Sequence, residues 1–290
     1  MTTHRQLAIG LFALAGLIVV YAILGPLATD IIHFRTSASG LAQVRGGDLA
    51  ALVVDVPGCL TVGALAWRGH RGAPVLALAP AFFAMYTYSQ LILGNEYLRI
   101  PGNIERFFPL LLVVFLVAAS VALRAWSLAR PERLPASSVR LTRGSGILLV
   151  VIAAMVALGL HLPGLVDALS SQPVGAAYLD APTLFWVVKF YDLGIVVPAA
   201  LTVGIGLLRA QPWARKPAYA ILGAYVLIGA SVAGMGWSML LDGDPDASIT
   251  TAAAVTAIAG AGAVFAYFLY RPLFAATALG GAAPEVATRR

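Results

Sequence analysis

The chain has 290 residues, of which 60% are hydrophobic and only 11% are charged, and its mean hydropathy is +0.88. Soluble domains carry about 25% charged residues, so this composition excludes a soluble globular protein and indicates an all-α polytopic membrane protein surrounded by lipid. The net charge of +6 does not indicate a nucleic-acid partner, because the basic residues are spread over the connections between apolar segments. With Cys59 as the single cysteine, an intramolecular disulfide and a cysteine-based metal cluster are excluded.

Eight apolar windows of about 20 residues, the length that crosses a bilayer as a helix, follow one another along the chain. They are numbered spans 1 to 8 and lie at about 7–28, 48–67, 73–95, 107–129, 145–166, 183–208, 214–240 and 250–272. The first window follows Arg5 and has no small-x-small cleavage site at its exit, which favours an uncleaved helix over a secretory signal. The sequence therefore predicts an eight-span helical bundle.

The basic residues predict the orientation of the spans. If the N-terminus is cytoplasmic, 14 of the 19 arginines and lysines fall on cytoplasmic segments and 4 fall in outer loops, with Lys189 inside span 6. Such an excess over short loops is typical of the positive-inside rule. Abundant alanine, glycine and arginine, with only two lysines, is typical of a GC-rich bacterial genome. We predict a multi-pass protein of the bacterial cytoplasmic membrane with both termini in the cytoplasm.

A shift of 141 residues aligns the two halves of the chain and carries each of the first four windows onto one of the last four. The shift aligns Pro57 with Pro198, residues 60–63 with 201–204 and Arg68 with Arg209. Because four is an even number, the halves share one orientation, as in other parallel-repeat membrane proteins. The prediction is two parallel four-helix repeats, with a first half 1–129, a cytoplasmic linker 130–143, a second half 144–275 and a disordered cytoplasmic tail 276–290.

Ionisable side chains within the spans are the main indication of function, since each costs about 2.5 to 3.5 kcal/mol at a helix centre on insertion scales. Lys189 and Asp192 stand three residues apart in span 6, so they share a helix face and can pair. Asp55 lies at a similar depth in span 2, two residues before Pro57. If spans 2 and 6 meet across the repeat axis, we expect these side chains to face one outward-open polar site.

Three other residues complete the predicted substrate or proton site. Tyr86 and Gln90 share a face of span 3, and Tyr191 adjoins Asp192 in span 6. A second rank lies near the outer ends of the spans and consists of His161, Glu96 and Asp48. Structural roles stay open for all of them, as a neutralising ion pair, as packing aromatics or as an interfacial histidine.

The residue patterns predict no catalytic residue, no cofactor and no metal. No nucleophile can be matched with a histidine and an aspartate as its partners. The acidic loop 242–246 resembles the start of a calcium loop, but Ala247 stands where the turn glycine is needed and the glutamate of the twelfth position is missing. A solvated acidic loop is the favoured interpretation.

A short motif pair resembles known sequences. The Asp-Leu-Gly run that begins at Asp192 and is followed by Pro198, together with the Tyr-Thr-Tyr run that begins at Tyr86, is similar to uncharacterised bacterial multi-span membrane proteins. The resemblance covers spans 2–3 and 6–7 and implies no activity.

Three functions stay open at this point. The first is small-solute or proton-coupled transport, or solute binding, at an outward-facing intramembrane site. The second is a non-catalytic accessory, sensory or assembly subunit that binds a membrane-protein partner. The third is an intramembrane lipid-modifying enzyme, for which the acidic loop 242–246 is the only candidate motif.

Overall fold

A computed structural model describes residues 3–135 and 138–278 of the chain, with side chains described up to residue 274 except that of residue 133. All regular elements in these ranges are helices, and eight of them are long and apolar enough to cross a membrane. These spans 1 to 8 are Thr3–Leu24, Ala38–Trp67, Ala73–Leu93, Ile104–Leu128, Val139–Ala168, Pro182–Leu208, Pro212–Leu241 and Ile249–Phe274. The prediction of a polytopic eight-span helical bundle is confirmed.

Span 2 begins at Ala38, ten residues before the predicted start of the apolar window. The backbone N–H of Gly40 donates a hydrogen bond of 3.1 Å to the Ser37 hydroxyl, which caps the first turn. Further along, Gly46 lies directly against the backbone of Gly234 in span 7. Because contact with another helix rather than with lipid stabilises these turns, a hydropathy window does not detect them.

The predicted linker and tail differ from the structure at their edges. The linker region 130–143 contains a short 3₁₀ turn, Pro131–Arg133, and the first residues of span 5, which begins at Val139. The helix of span 8 continues to Ala278, so residues 276–278 of the predicted tail are helical. The rest of the tail, from residue 279 onward, lies outside the described residues, as do residues 1, 2, 136 and 137.

Within each half, the first span packs against the second and the third packs against the fourth. These pairs are spans 1 and 2, 3 and 4, 5 and 6, and 7 and 8. Span 7 joins the halves, because it also packs along spans 2 and 3. Span 6 packs mainly on span 5, with smaller contacts to spans 3 and 7. Spans 2 and 6, whose meeting is the condition for one shared polar site, are not among the closely packed pairs of the described residues.

Three spans contain a short segment in which the helix widens to π geometry. The segments are Ala51–Asp55 in span 2, Met155–His161 in span 5 and Asp192–Val196 in span 6. Each ends two residues before a proline, and these prolines are Pro57, Pro163 and Pro198. The residue before each proline donates its N–H to the carbonyl five residues earlier, as Val56 does to Ala51. Proline lacks an N–H and its ring clashes with the preceding turn, which explains the widening at these positions.

The loops after spans 1 and 3 are joined by hydrogen bonds at the end of the bundle opposite the termini. The Arg35 backbone N–H donates to the Asn95 side chain at 2.8 Å, and the Arg35 guanidinium binds both carboxylate oxygens of Glu105, at 2.6 and 3.0 Å. The hydrogen bonds to Glu105 raise the pKa of Arg35. These contacts hold the end of span 3, the span that carries Tyr86 and Gln90, in a defined position.

Candidate functional site

Asp192 is the centre of a buried hydrogen-bonded cluster that joins spans 3, 5 and 6. The Tyr86 hydroxyl donates to Asp192 Oδ1 at 2.6 Å, and Asp192 Oδ2 lies 2.7 Å from Nε2 of His161. The side chains of His161 and Asp192 are 3% and 10% exposed. The carboxylate is thus hydrogen-bonded through both oxygens in the interior of the bundle.

The helix interruptions place the two ionisable groups of this cluster. His161 is the last residue of the π segment of span 5, and Asp192 is the first residue of the π segment of span 6. Pro163 follows His161 at the same spacing at which Pro57 follows Asp55. His161 and Asp55 thus share a sequence pattern, an ionisable residue two positions before an intramembrane proline, although His161 was predicted only in the second rank.

His161 and Asp192 lie within two membrane-spanning helices and share one hydrogen bond. Asp192 is ten residues into span 6, about 15 Å along the helix axis from the first residue of the span. If Asp192 is ionised, Nε2 of His161 carries a hydrogen and the ring is either neutral or a cation. The shared hydrogen bond therefore joins a carboxylate directly to an imidazole.

Span 7 contributes a residue that the sequence did not predict. The Tyr225 hydroxyl donates a hydrogen bond of 3.1 Å to the carbonyl of Val196, the last residue of the π segment, and it interacts electrostatically with Asp192. No ionisable residue stands within a helical turn of Tyr225 in the sequence, so nothing in span 7 marks it. The tyrosine connects span 7, which joins the two halves, to the interrupted helix.

Lys189 is buried beside the cluster, but the ion pair with Asp192 that the spacing allows is not formed. The Lys189 ammonium lies 3.3 Å from the centroid of the Phe185 ring, one turn earlier in span 6, in a cation–π contact. Tyr86 and His161 already occupy both oxygens of Asp192. The lysine therefore adds a positive charge near the cluster without neutralising its carboxylate by direct contact.

Tyr191 and Gln90, two further residues of the predicted site, lie close to Tyr86. The Tyr191 ring meets the Tyr86 ring edge to face, with centroids 6.0 Å apart. Gln90 is one turn beyond Tyr86 in span 3, its amide nitrogen is buried, and its side chain interacts with the Tyr86 hydroxyl. The Gln90 amide and the Lys189 ammonium are thus further donors beside the Asp192 cluster.

Glu96 has a structural position at the start of span 6. Its carboxylate accepts hydrogen bonds from the Thr183 backbone N–H at 2.6 Å and from the Thr183 hydroxyl at 3.0 Å. An acceptor in the first turn satisfies donors that a helix leaves free and is favoured by the helix dipole. Glu96 therefore caps span 6 from the end of span 3 and is not part of the Asp192 cluster.

Asp55 and Asp48 lie in the first half, apart from the Asp192 cluster. The electrostatic neighbours of Asp55 are Cys59 and Tyr88, and Asp48 interacts with Tyr88 as well. None of these neighbours belongs to the set around Asp192. The structure thus divides the residues that were predicted as one site into two groups.

The acidic loop between spans 7 and 8 is occupied by contacts of its own. Asp242 pairs with Arg45 of span 2 at 3.0 Å, and the Asp244 carboxylate accepts a hydrogen bond of 2.9 Å from the Asp246 backbone N–H. Across residues 3–135 and 138–278 there is no group of three or more histidine, cysteine, aspartate or glutamate side chains with the geometry to hold a metal ion. Asp242 and Asp246 are exposed, whereas Oδ2 of Asp244 is buried without a hydrogen-bond partner among the described residues.

Removal of the Tyr86 hydroxyl tests the cluster with a minimal change. Tyr86→Phe leaves Asp192 Oδ1 without its donor, and we expect it to lower the free energy of unfolding by about 1–3 kcal/mol. Tyr191→Phe is the matched control, since the described residues include no hydrogen bond to that hydroxyl, and we expect a change within about 0.5 kcal/mol. Unfolding by SDS titration in mixed micelles measures both, and equal losses would contradict the assigned hydrogen bond.

The cluster joins a buried carboxylate, a histidine and a tyrosine at two helix interruptions in a bundle that is apolar enough to lie in a membrane. Any functional conclusion depends on this chemistry alone. Comparison of the chain with family models, curated proteins and solved structures finds no match.

Proposed function

We propose that the protein binds a small polar solute inside the membrane and couples its binding or transport to a proton at the His161–Asp192–Tyr86 cluster. The observation that carries the proposal is the buried carboxylate, hydrogen-bonded by histidine and tyrosine at two interrupted helices. Ionisable groups within membrane bundles are costly and mark proton or substrate pathways. Interrupted helices near the bilayer midplane form the solute and coupling-ion sites of many secondary transporters.

Each part of the cluster has a role in this proposal. Asp192 and His161 exchange the proton, because a carboxylate and an imidazole are both ionisable and here share one hydrogen bond. The Gln90 amide and the Lys189 ammonium, which lie beside Tyr86 and Asp192, bind the polar end of the solute. Tyr86 fixes the position of the Asp192 carboxylate during binding and release of the proton and the solute.

The burial of the charged groups favours solute handling over recognition of a partner subunit. A subunit that binds a partner helix through these charges would present them to lipid before the partner arrives. Asp192 is 7% and Lys189 9% exposed, whereas Phe190 between them is 72% exposed and faces outward. The polar groups of span 6 therefore point into the bundle.

We further propose that the chain consists of two parallel four-span repeats. The 141-residue offset relates the π segment Ala51–Asp55 to Asp192–Val196 and the helix Val56–Trp67 to Val197–Leu208, end to end. The packing of consecutive spans is also the same in both halves. Under this proposal both halves retain the interrupted helix of the duplicated unit, whereas the ionisable residues differ between the halves.

Proton flux in proteoliposomes tests the proposed function. The protein is reconstituted with a pH-sensitive dye inside the vesicles, and amino acids, carboxylates, amines and sugars are added outside in turn. We expect one class to produce a proton flux with the wild type and with Asp180→Asn, an exposed control, and not with Asp192→Asn.

Binding of the same solute can be measured separately, in detergent, as a change in stability. A solute at about 100 times its dissociation constant raises the free energy of unfolding by about 2.7 kcal/mol.

Two results would contradict this function. One is a solute-dependent flux that is equal in the wild type and in Asp192→Asn. The other is the absence of flux with every class in the panel, together with a stoichiometric membrane-protein partner that copurifies with the wild type and is lost in Lys189→Ala. The second result would establish the accessory role in its place.

We also propose the orientation that the basic residues predict, with both termini in the bacterial cytoplasm. The native thiol of Cys59 is 0% exposed and is removed by Cys59→Ala for this experiment. Asp246→Cys, between spans 7 and 8, is expected to react with a membrane-impermeant maleimide added to intact cells. Arg71→Cys, between spans 2 and 3, is expected to react only after the cells are permeabilised, and the reverse pattern would overturn the orientation.

A further inference from the structure

A second group of buried polar side chains lies where spans 1, 2 and 3 meet. Asp55 is 1% exposed, Asp48 5%, Tyr88 2% and Tyr21 0%. The rings of Tyr21 and Tyr88 are in edge-to-face contact with centroids 5.1 Å apart. Tyr88 interacts electrostatically with both aspartates, and Tyr21 interacts with Asp48. The four residues form one cluster within the first half.

The acidic groups of this cluster have no polar partner among the described residues. Both carboxylate oxygens of Asp55, one carboxylate oxygen of Asp48 and the hydroxyl of Tyr21 are buried without a hydrogen bond. Asp48 and Asp55 are also absent from the ion pairs in the described part of the chain. Buried polar groups in folded proteins are nearly always satisfied, so this set calls for a ligand.

The surrounding elements offer no charge that neutralises the two aspartates. The nearest cation along span 2 is Arg45, one turn before Asp48, and its guanidinium is bound to Asp242 at 3.0 Å and to the Pro26 carbonyl at 3.3 Å. Span 1 contributes Tyr21 and span 3 contributes Tyr88.

The remaining neighbours of the two aspartates are uncharged. Span 2 itself contributes Cys59, the electrostatic neighbour of Asp55. Span 7 faces this part of span 2 with glycine backbone and with the side chains of Ser231 and Met235. An ionised carboxylate enclosed in this way is strongly disfavoured, and the smallest ligand that removes its charge is a proton.

We infer that Asp48, Asp55, Tyr21 and Tyr88 form a proton-binding site in the first half, separate from the His161–Asp192–Tyr86 cluster, and that Asp55 carries the bound proton. A neutral carboxylic acid carries no charge, which suits the surroundings of Asp55, where the electrostatic neighbours are the uncharged side chains of Cys59 and Tyr88. The inference does not depend on the proposed solute transport, since it concerns other residues and a different ligand.

The position of Asp55 gives the bound proton a route to a structural change. Asp55 is the last residue of the π segment of span 2, and Pro57 begins the next helical turns. Widened turns next to a proline are frequent at functional sites, where the local hydrogen bonding can rearrange. Gain or loss of the proton at Asp55 therefore changes the charge at the end of the π segment of span 2.

Infrared difference spectroscopy on the full-length protein in lipid tests the inference directly. A protonated carboxylic acid has a carbonyl band that is distinct from those of carboxylates and amides. At neutral pH we expect such a band in the wild type, a downshift of the band in deuterated buffer and its loss in Asp55→Asn. Because asparagine has the shape of a neutral aspartic acid, we expect Asp55→Asn to fold, and Asp180→Asn serves as the exposed control.

Two further measurements separate the alternatives. Asp48→Asn is expected to shift the frequency of the Asp55 band, since both carboxyl groups share Tyr88 as a neighbour. Dicyclohexylcarbodiimide is expected to modify Asp55. The O–H of a protonated carboxyl adds across one C=N bond of the reagent, and the adduct rearranges to an acylurea without a leaving group. Modification is expected to be equal in sodium chloride and in choline chloride at one pH.

Three results would overturn the inference. If Asp55→Asn removes no carboxylic-acid band, Asp55 is ionised and binds no proton. An Asp55 band that Asp48→Asn leaves unshifted excludes a site shared by the two aspartates. Protection of Asp55 from the carbodiimide by sodium chloride, but not by choline chloride, replaces the proton with a sodium ion. None of these results depends on whether solute transport at Asp192 is found.

Discussion

An Asp192→Asn variant is expected to keep its free energy of unfolding within about 1 kcal/mol of the wild type and to lose proton-linked solute binding. Asparagine has the same shape, its side-chain oxygen accepts the Tyr86 hydroxyl, and its NH₂ group can donate to Nε2 of a neutral His161. What it removes is the ionisable group. Burial of a charge is seldom optimal for stability, so the retained carboxylate is expected to serve a function.

Asp192→Ala is the comparison variant, because it removes the hydrogen-bond acceptor as well as the ionisable group. The alanine leaves the Tyr86 hydroxyl and the His161 ring without an acceptor, and we expect each to cost about 1–3 kcal/mol of the free energy of unfolding. Both variants are measured by SDS titration in mixed micelles and by proton flux in proteoliposomes. If asparagine destabilises the protein as much as alanine does, or if it keeps full proton-linked flux, the carboxylate has a structural role and the proposed function is wrong.

Gly46→Ala is expected to destabilise the protein strongly, because the added methyl group would meet backbone atoms of span 7. A Cβ at Gly46 would fall on the carbonyl of Gly234, and it would lie 2.7 Å from Cα of Met235. The atoms in the way are backbone atoms of span 7, so no side-chain rotation relieves the clash. We expect a loss of about 3 kcal/mol, the upper end of the usual range for overpacking, because spans 2 and 7 must separate.

Gly58→Ala is the matched control in the same span. A Cβ at Gly58 has no atom within 4 Å, and alanine favours a helix over glycine by about 1 kcal/mol, so we expect an unchanged or slightly higher free energy of unfolding. SDS titration of the two variants under one set of conditions gives the comparison. Equal stability of Gly46→Ala and Gly58→Ala would show that the two spans do not approach each other through these glycines.

The number and type of the elements could be predicted from the sequence because lipid imposes a simple rule. A segment that crosses the hydrocarbon must satisfy its backbone internally and present apolar side chains, and each of the eight helices does so. The same rule fails for the first ten residues of span 2, from Ala38 onward. Their helix is stabilised by contact with span 7 at Gly46 and Gly234, and hydropathy contains no information about that contact.

The candidate residues could be named from the sequence, but not grouped. Asp55, His161 and Asp192 stand out because ionisable groups in apolar segments are rare, and the nearby prolines mark the interruptions. Which of them touch depends on the packing of spans far apart in the chain, since Tyr86 and Asp192 are separated by 106 positions. Tyr225, an ordinary aromatic in an apolar span, becomes part of the site only through the position of span 7.

The sequence by itself determined that this is an eight-span helical membrane protein and that a few ionisable residues lie within its spans, because composition and hydropathy act locally along each helix. Only the tertiary structure decided that Asp192 binds His161 and Tyr86, and that Asp55 and Asp48 lie in a separate cluster without partners. The physical reason is that helix pairing in a membrane depends on the close fit of small residues and on hydrogen bonds between spans, which are properties of two surfaces at once.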